Sequence, residues 1–344
     1  MRKINLENKC ILVTGAAGFI GSFLVKRICS EFPSCFVVGF DNMSDYYDVS
    51  LKEYRIHELE KFSNFRFIKG NLVDALFLDE VFTKYHFDIV VNLAAQAGVR
   101  YSIDHPDIYI ESNIVGFYHI LEACRHHPVE HLVFASSSSI YGDNEKVPFS
   151  EDDRVDEPVS LYAATKRSDE LLAYTYSKLY SIPTTGLRFF TVYGPSGRPD
   201  MAYFDFTKRL IHDEKIKLFH YGKCARDFTY IDDIVEGIVR VMGASPEKEV
   251  PYSIYNIGNN HPENLLDFVS ILKEELVRVG LLPKDFDLES HIELVATQPG
   301  DVLQTFADTS LLEKDFGYKP KTSLREGLSK FVDWYVLYYR GDHL

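Results

Sequence analysis

The chain has 344 residues, enough for a large core and for one large domain beside a smaller one. Hydrophobic residues make up 46% and charged residues 26%, the composition of a folded soluble domain, and a net charge of −14 argues against a nucleic-acid surface because polyanions repel. No apolar run approaches the roughly 20 residues that cross a bilayer, so the expectation is a cytoplasmic protein with no membrane partner.

In chain order, Cys10-Ile11-Leu12-Val13 is a short apolar run of the kind that forms a strand buried on both faces. It leads into Gly15-Ala16-Ala17-Gly18-Phe19-Ile20-Gly21, which opens a helix running to about Ser30. Glycines between a buried strand and a helix start let the turn tighten and let the backbone approach a pyrophosphate. The next strand, Phe36 to Phe40, ends in Asp41-Asn42. An acid there accepts from both ribose hydroxyls and repels a 2′-phosphate, which favours NAD over NADP. A third strand, Phe65 to Ile68, leads to Asn71-Leu72 near an adenine edge. A fourth, Ile89 to Leu93, runs into Ala94-Ala95, small enough for a cofactor to come close. The helix expected from about Asp107 to Arg125 carries Asn113, which reads equally as a polar group behind the site or as a satisfied core amide.

The fifth strand, Leu132-Val133-Phe134, gives way to Ser136-Ser137-Ser138-Ser139. Ligands bind at the carboxyl ends of parallel strands, so these hydroxyls are expected to face the site. Tyr162 and Lys166 then lie four apart on a predicted helix and share a face; a cation beside a phenol favours the phenolate, which makes Tyr162 a candidate general base. Strand-helix alternation to this point predicts an α/β fold, a Rossmann-type doubly wound parallel sheet. Alternation fails beyond the strand Thr185 to Phe190. The later parts read as a smaller C-terminal α/β substrate domain: a helix over Ala202 to Ile211, the segment Arg226-Asp227-Phe228 before another helix, a strand Tyr252 to Asn256, an N-cap at Asn264, and a capping box at Ser323 and Glu326. The expected division is residues 1–190 for NAD and the Tyr/Lys helix, and residues 191–344 mainly for the substrate, with some segments returning to the sheet. The five cysteines form no Cys-x-x-Cys and read as reduced thiols.

Together, the glycine loop, Asp41, the serine run, Tyr162-x-x-x-Lys166, Arg188-Phe189-Phe190 and Arg226-Asp227-Phe228 resemble the extended short-chain dehydrogenase/reductase family of nucleotide-sugar enzymes. Within it, Gln96-Ala97-Gly98-Val99-Arg100, Phe190-Thr191-Val192-Tyr193-Gly194-Pro195, Gly197-Arg198-Pro199-Asp200 and Gln298-Pro299-Gly300-Asp301-Val302 are most similar to the UDP-glucuronate 4-epimerases. The resemblance implies an isomerase with bound NAD, a UDP-sugar substrate, no resident metal and a homodimer formed through the helices near 107–125 and 159–180. It implies that Tyr162 and Ser137 handle the proton of the sugar 4-hydroxyl, that Lys166 holds the nicotinamide ribose, that Arg226 binds the diphosphate and that Asp301 meets the uridine ribose. It leaves Arg100 and Arg198 to hold diphosphate or carboxylate, or to form surface ion pairs. Asn71 departs from the aspartate common in relatives. Relatives that dehydrate or decarboxylate carry an acid where this chain has Ser138-Ser139-Ile140, and UDP-glucose epimerases carry Asn where it has Thr191. Ser138, Ser139 and Thr191 are therefore expected to hold a C6 carboxylate. UDP-glucose epimerisation and UDP-glucuronate decarboxylation are the enzymatic alternatives, and an NAD-sensing binding protein is the non-enzymatic one.

Overall fold

A computed structural model describes residues 1–296 and 305–340. In chain order its main elements are β1 (Cys10–Thr14), α1 (Phe19–Glu31), β2 (Phe36–Asp41), α2 (Val49–Leu59), β3 (Phe65–Lys69), α3 (Ala75–Tyr85) and β4 (Ile89–Asn92). There follow α4 (106–126), β5 (His131–Ser137), α5 (Leu161–Tyr180), β6 (Thr184–Phe189), β7 (Thr191–Tyr193) and α6 (Ala202–Ile211). The remainder is β8 (Ala225–Tyr230), α7 (Ile231–Met242), β9 (Tyr252–Ile257), β10 (Pro262–Asn264), α8 (Leu265–Arg278) and α9 (Leu324–Arg340).

Seven strands form one parallel sheet in the order β9-β6-β5-β4-β1-β2-β3. The strand order reverses between β1 and β4, which opens a crevice at their carboxyl ends. Alternation along β1 explains why the sheet is covered twice. Ile11 and Val13 enter a core with Leu24, Val25 and Ile28 of α1, while Leu12 enters the opposite core with Phe82 of α3 and Phe117 of α4. Gly15 follows β1 with φ +70°, and a Cβ there would stand 2.8 Å from the Ala94 nitrogen, so this turn admits only glycine comfortably.

The sheet does not end where the alternation does. β9, which follows α7, pairs in parallel with β6 from Tyr252↔Thr184 to Ile257↔Phe189. β5 runs three residues beyond the expected strand, because β6 pairs with it as far as Ser137↔Phe189. The helix expected from Asp107 is continuous over 106–126 but contains a π-helical turn, Ile110–Val115, with Asn113 inside it. Beside the sheet, β8 pairs in parallel with β7 and antiparallel with β10. Helices α6, α8 and α9 close this part through Phe204, Phe268 and Phe331. The cap at Asn264 is formed, accepting from the Leu266 N–H at 2.8 Å, and the box at Ser323 is half formed: Ser323 accepts from the Glu326 N–H at 3.3 Å, while the Glu326 carboxylate pairs with Lys330 at 2.8 Å. No helix among the described residues is long and apolar enough to cross a membrane.

Candidate active site

The crevice at the strand ends is a cavity of about 460 Å³. Its floor is the turn after β1, where Gly15, Gly18, Phe19, Ile20 and Gly21 line it. A Cβ on Gly21 would collide with the carbonyl of Gly15, so the helix start packs directly on the turn. Asp41 and Asn42 at the end of β2, Asn71 and Leu72 after β3, and Leu93, Ala94 and Ala95 after β4 complete one half. Asp41 is buried; its carboxylate accepts from the Ala17 N–H at 3.1 Å and the Met43 N–H at 2.8 Å, which leaves acceptor capacity for a ribose.

The other half is built from β5, α5 and β7. Ser137, Ser138, Ser139, Tyr162, Lys166, Thr191 and Arg198 all line it. Ser137 ends β5 in extended backbone, and its Oγ accepts from the Ser139 N–H and donates to Ser139 Oγ, both at 3.2 Å. Ser160 caps α5 by accepting from the Ala163 N–H at 3.1 Å, which fixes where the Tyr162-Lys166 face begins. Lys166 is buried; its ammonium donates to Ala135 O at 2.9 Å and lies 3.5 Å from Asp169. Burial pushes the Asp169 carboxyl up to about 7, against the pull of the Lys166 charge.

Asn113 is a satisfied buried amide that also braces this half. It accepts from the Gln96 N–H at 2.8 Å and donates to Gln96 O at 3.1 Å and Thr165 Oγ1 at 3.0 Å. The π turn thus ties the loop after β4 to the residue preceding Lys166. Arg188, part of the Arg-Phe-Phe motif, is buried outside the cavity lining. It makes a bidentate pair with Glu170 at 2.9 and 3.0 Å, and Ser136 donates to the same carboxylate at 2.6 Å.

Two expected substrate residues, Arg100 and Arg226, stand apart from this lining. Arg100 is exposed, with its guanidinium 4.5 Å from the Phe219 ring centroid. Arg226 lies on β8 opposite Glu263, with Nη1 donating to Ala225 O at 3.1 Å. Neither is among the residues lining the cavity, and Asp301 lies outside the described residues. Arg198 does line it and pairs through both nitrogens with Asp200, with Nε 3.0 Å from Oδ1. Burial works against its charge, and the Asp200 carboxylate outweighs burial. Sequence reading missed Ser44, Tyr46, Tyr47 and Lys52, which line the cavity from the β2–α2 connection and the first turn of α2. The available signal was Lys52-x-x-Arg55, two cations on one face of a helix directly after Asp41.

An α/β crevice with a glycine turn, a strand-end acid and a Tyr-Lys pair suits a dinucleotide and a redox step at a hydroxyl carbon. The pattern defining the NAD dependent epimerase/dehydratase family matches residues 11–258. Protein CapI of Staphylococcus aureus is 49% identical over 344 residues, covering 96% of this chain and 99% of that protein. A probable UDP-glucuronate 4-epimerase of Rhizobium meliloti is 43% identical over 347 residues, covering 96% and 98%. The crystal structure of UDP-glucuronic acid 4-epimerase from Bacillus cereus, in complex with UDP-glucuronic acid and NAD, superposes with a TM-score of 0.86 at 35% identity, covering 94% of this chain and 98% of that one.

Proposed function

Since the chain belongs to the NAD dependent epimerase/dehydratase family, we propose that it is an NAD-dependent isomerase that interconverts UDP-glucuronate and UDP-galacturonate. One observation carries the choice of reaction. Among the described residues that line the cavity, Asp41 is the only carboxylate, and the half around Tyr162 offers hydroxyls instead. Dehydration calls for an acid or base at the carbons that lose water, and completed decarboxylation for a proton donor at C5 after CO₂ has left, whereas epimerisation at C4 needs one proton carrier and a reversible hydride acceptor.

Gly15, Gly18, Gly21, Asp41, Asn71 and Lys166 fit NAD, and bound NAD supplies the hydride acceptor. Tyr162 receives the proton of the sugar O4 as C4 is oxidised, and Ser137 bonds the same oxygen and relays that proton. Lys166, anchored on Ala135 O, keeps further N–H donors for the cofactor ribose. The 4-keto sugar then turns its other face to the site, and Tyr162 returns the proton as C4 is reduced. A uronic acid oxidised at C4 is a β-keto acid and loses CO₂ if its carboxylate stands perpendicular to the carbonyl. Ser138, Ser139 and Thr191, neutral donors on the same lining, hold it off that angle. Arg226 is the cation for the diphosphate and Arg198 the cation for the diphosphate or carboxylate; Asp200 is the anion that Arg198 exchanges for its ligand.

The reading extends to assembly. α4 and α5 carry exposed apolar side chains, among them Ile110, Tyr118, Leu171, Tyr174 and Leu179, and such a surface is the natural seat of a second copy of the chain. Sedimentation of a Leu171→Glu, Tyr174→Glu variant is expected to show a monomer where the parent is a dimer; a monomeric parent contradicts the assembly. None of the five cysteines forms a disulfide, which suits a reducing cytoplasm. The function itself is tested by incubating the protein with UDP-glucuronate and no added reductant. UDP-galacturonate is the expected product, and UDP-xylose or no product refutes the proposal.

A further inference from the structure

Helix α2 buries two cations, Lys52 and Arg55, which are 5% and 3% exposed. Arg55 spends its donors on main chain and hydroxyls: Ala17 O at 2.9 Å in the glycine turn, Tyr47 OH at 2.7 Å, and Ser196 O and Gly197 O at 2.7 and 3.1 Å. Lys52 donates to Ser44 O at 2.7 Å and Ser44 Oγ at 3.0 Å, with its ammonium 4.9 Å from the Tyr47 ring centroid. Among the described residues, neither has a carboxylate within 4.0 Å.

Three cations line the cavity: Lys52, Lys166 and Arg198. Lys166 has Asp169 beside it and Arg198 has Asp200. Lys52 alone faces the cavity without an acid in contact, and a buried unpaired ammonium is costly until an anion joins it. Burial lowers its affinity for a proton, and the charge of Asp41 pulls the other way. The glycine turn meets an anion only with N–H groups and the partial charge of a helix end. Lys52 follows Asp41, the ribose acid, on the next element, and the Asp41 charge acts on it, which associates it with the adenosine side of the cavity.

We propose that Lys52 is the counter-cation to the diphosphate of the bound dinucleotide, with Arg55 holding the glycine turn against the Ser196-Gly197 loop beneath it. The proposal rests on NAD occupying this cavity. It explains how a chain of net charge −14 holds a dianionic linker without an acid-paired cation having to open. In this arrangement the incoming phosphates, not a protein carboxylate, complete the Lys52 site.

The test uses the full chain and three probes: ADP-ribose, which carries the diphosphate, adenosine, which lacks it, and UDP. Calorimetry on Lys52→Met is expected to show ADP-ribose weakened by about 10- to 100-fold, the worth of a charge-assisted contact. Adenosine and UDP should stay within about threefold of the parent, and Lys52→Arg should restore ADP-ribose to within about tenfold. Unchanged ADP-ribose binding in Lys52→Met overturns the proposal, and so does an equal loss for adenosine, which would make Lys52 a packing residue. A parent chain that binds UDP but not ADP-ribose refutes the cofactor reading itself.

Discussion

Replacing Arg188 with Met removes the cation from a buried bidentate pair and leaves the Glu170 carboxylate in the interior. Both side chains are nearly inaccessible, at 3% and 2%. Truncating one member of such a pair costs about 3–5 kcal/mol, because the remaining charge has lost its compensation. Glu170 keeps two partners, Ser136 at 2.6 Å and Arg167 at 3.0 Å, and the Arg167 side chain is 26% exposed. Arg188 also donates to Tyr141 OH at 2.9 Å and Glu151 O at 3.2 Å; the change removes both donors, although Tyr141 OH keeps its bond to Asn256 Oδ1 at 2.6 Å. The two considerations offset, and the expected loss is about 3 kcal/mol, a large part of a typical domain's 5–15 kcal/mol. The assay is urea unfolding at neutral pH with NAD held at one saturating concentration, since bound ligand adds to apparent stability. Pairing Arg188→Met with Glu170→Met should recover about 1–3 kcal/mol of the loss, because no buried charge is then left alone. A single-variant cost below about 1 kcal/mol, or a double variant that loses the sum of both singles, refutes the description of this pair as a mutually dependent buried unit.

His131 is fully buried on β5, with Nε2 2.8 Å from Thr185 Oγ1, and burial pulls its imidazole down to about 4. The folded chain therefore binds fewer protons than the unfolded chain between pH 6.5 and 4. Stability present above pH 6.5 is lost as pH falls through that window, by about 3 kcal/mol, and denaturant titrations of His131→Gln should show a flatter acid limb. Thr191→Asn should cut UDP-glucuronate turnover by about tenfold or more and admit UDP-glucose, in product assays with each sugar. Unchanged turnover with no UDP-glucose activity refutes the assignment of Thr191 to the carboxylate.

The parallel sheet was legible because its signals are local. The β1 run, the glycine turn and Asp41 fall within about 30 residues, and each reinforces the reading of the others. Boundaries set by pairing were not legible: β5 extends to Ser137 only because β6 lies beside it, and β9 rejoins the sheet after a long excursion. The π turn at Asn113 is fixed by Gln96 and Thr165, contacts 17 and 52 residues away. Arg188 drew attention as part of a motif, but its partner Glu170 carries no motif and is found only by folding α5 against β6. Lys52 was passed over for a related reason: a lysine on an amphipathic helix reads as surface, and only the path of the β2–α2 connection turns it inward.

The claim that one C4 hydride leaves and returns within a single active site is tested most directly by isotope. UDP-glucuronate deuterated at C4 should give UDP-galacturonate that retains deuterium at C4, in unlabelled water and with no added nicotinamide. Washout of the label, or product formed only when reductant is supplied, would contradict it.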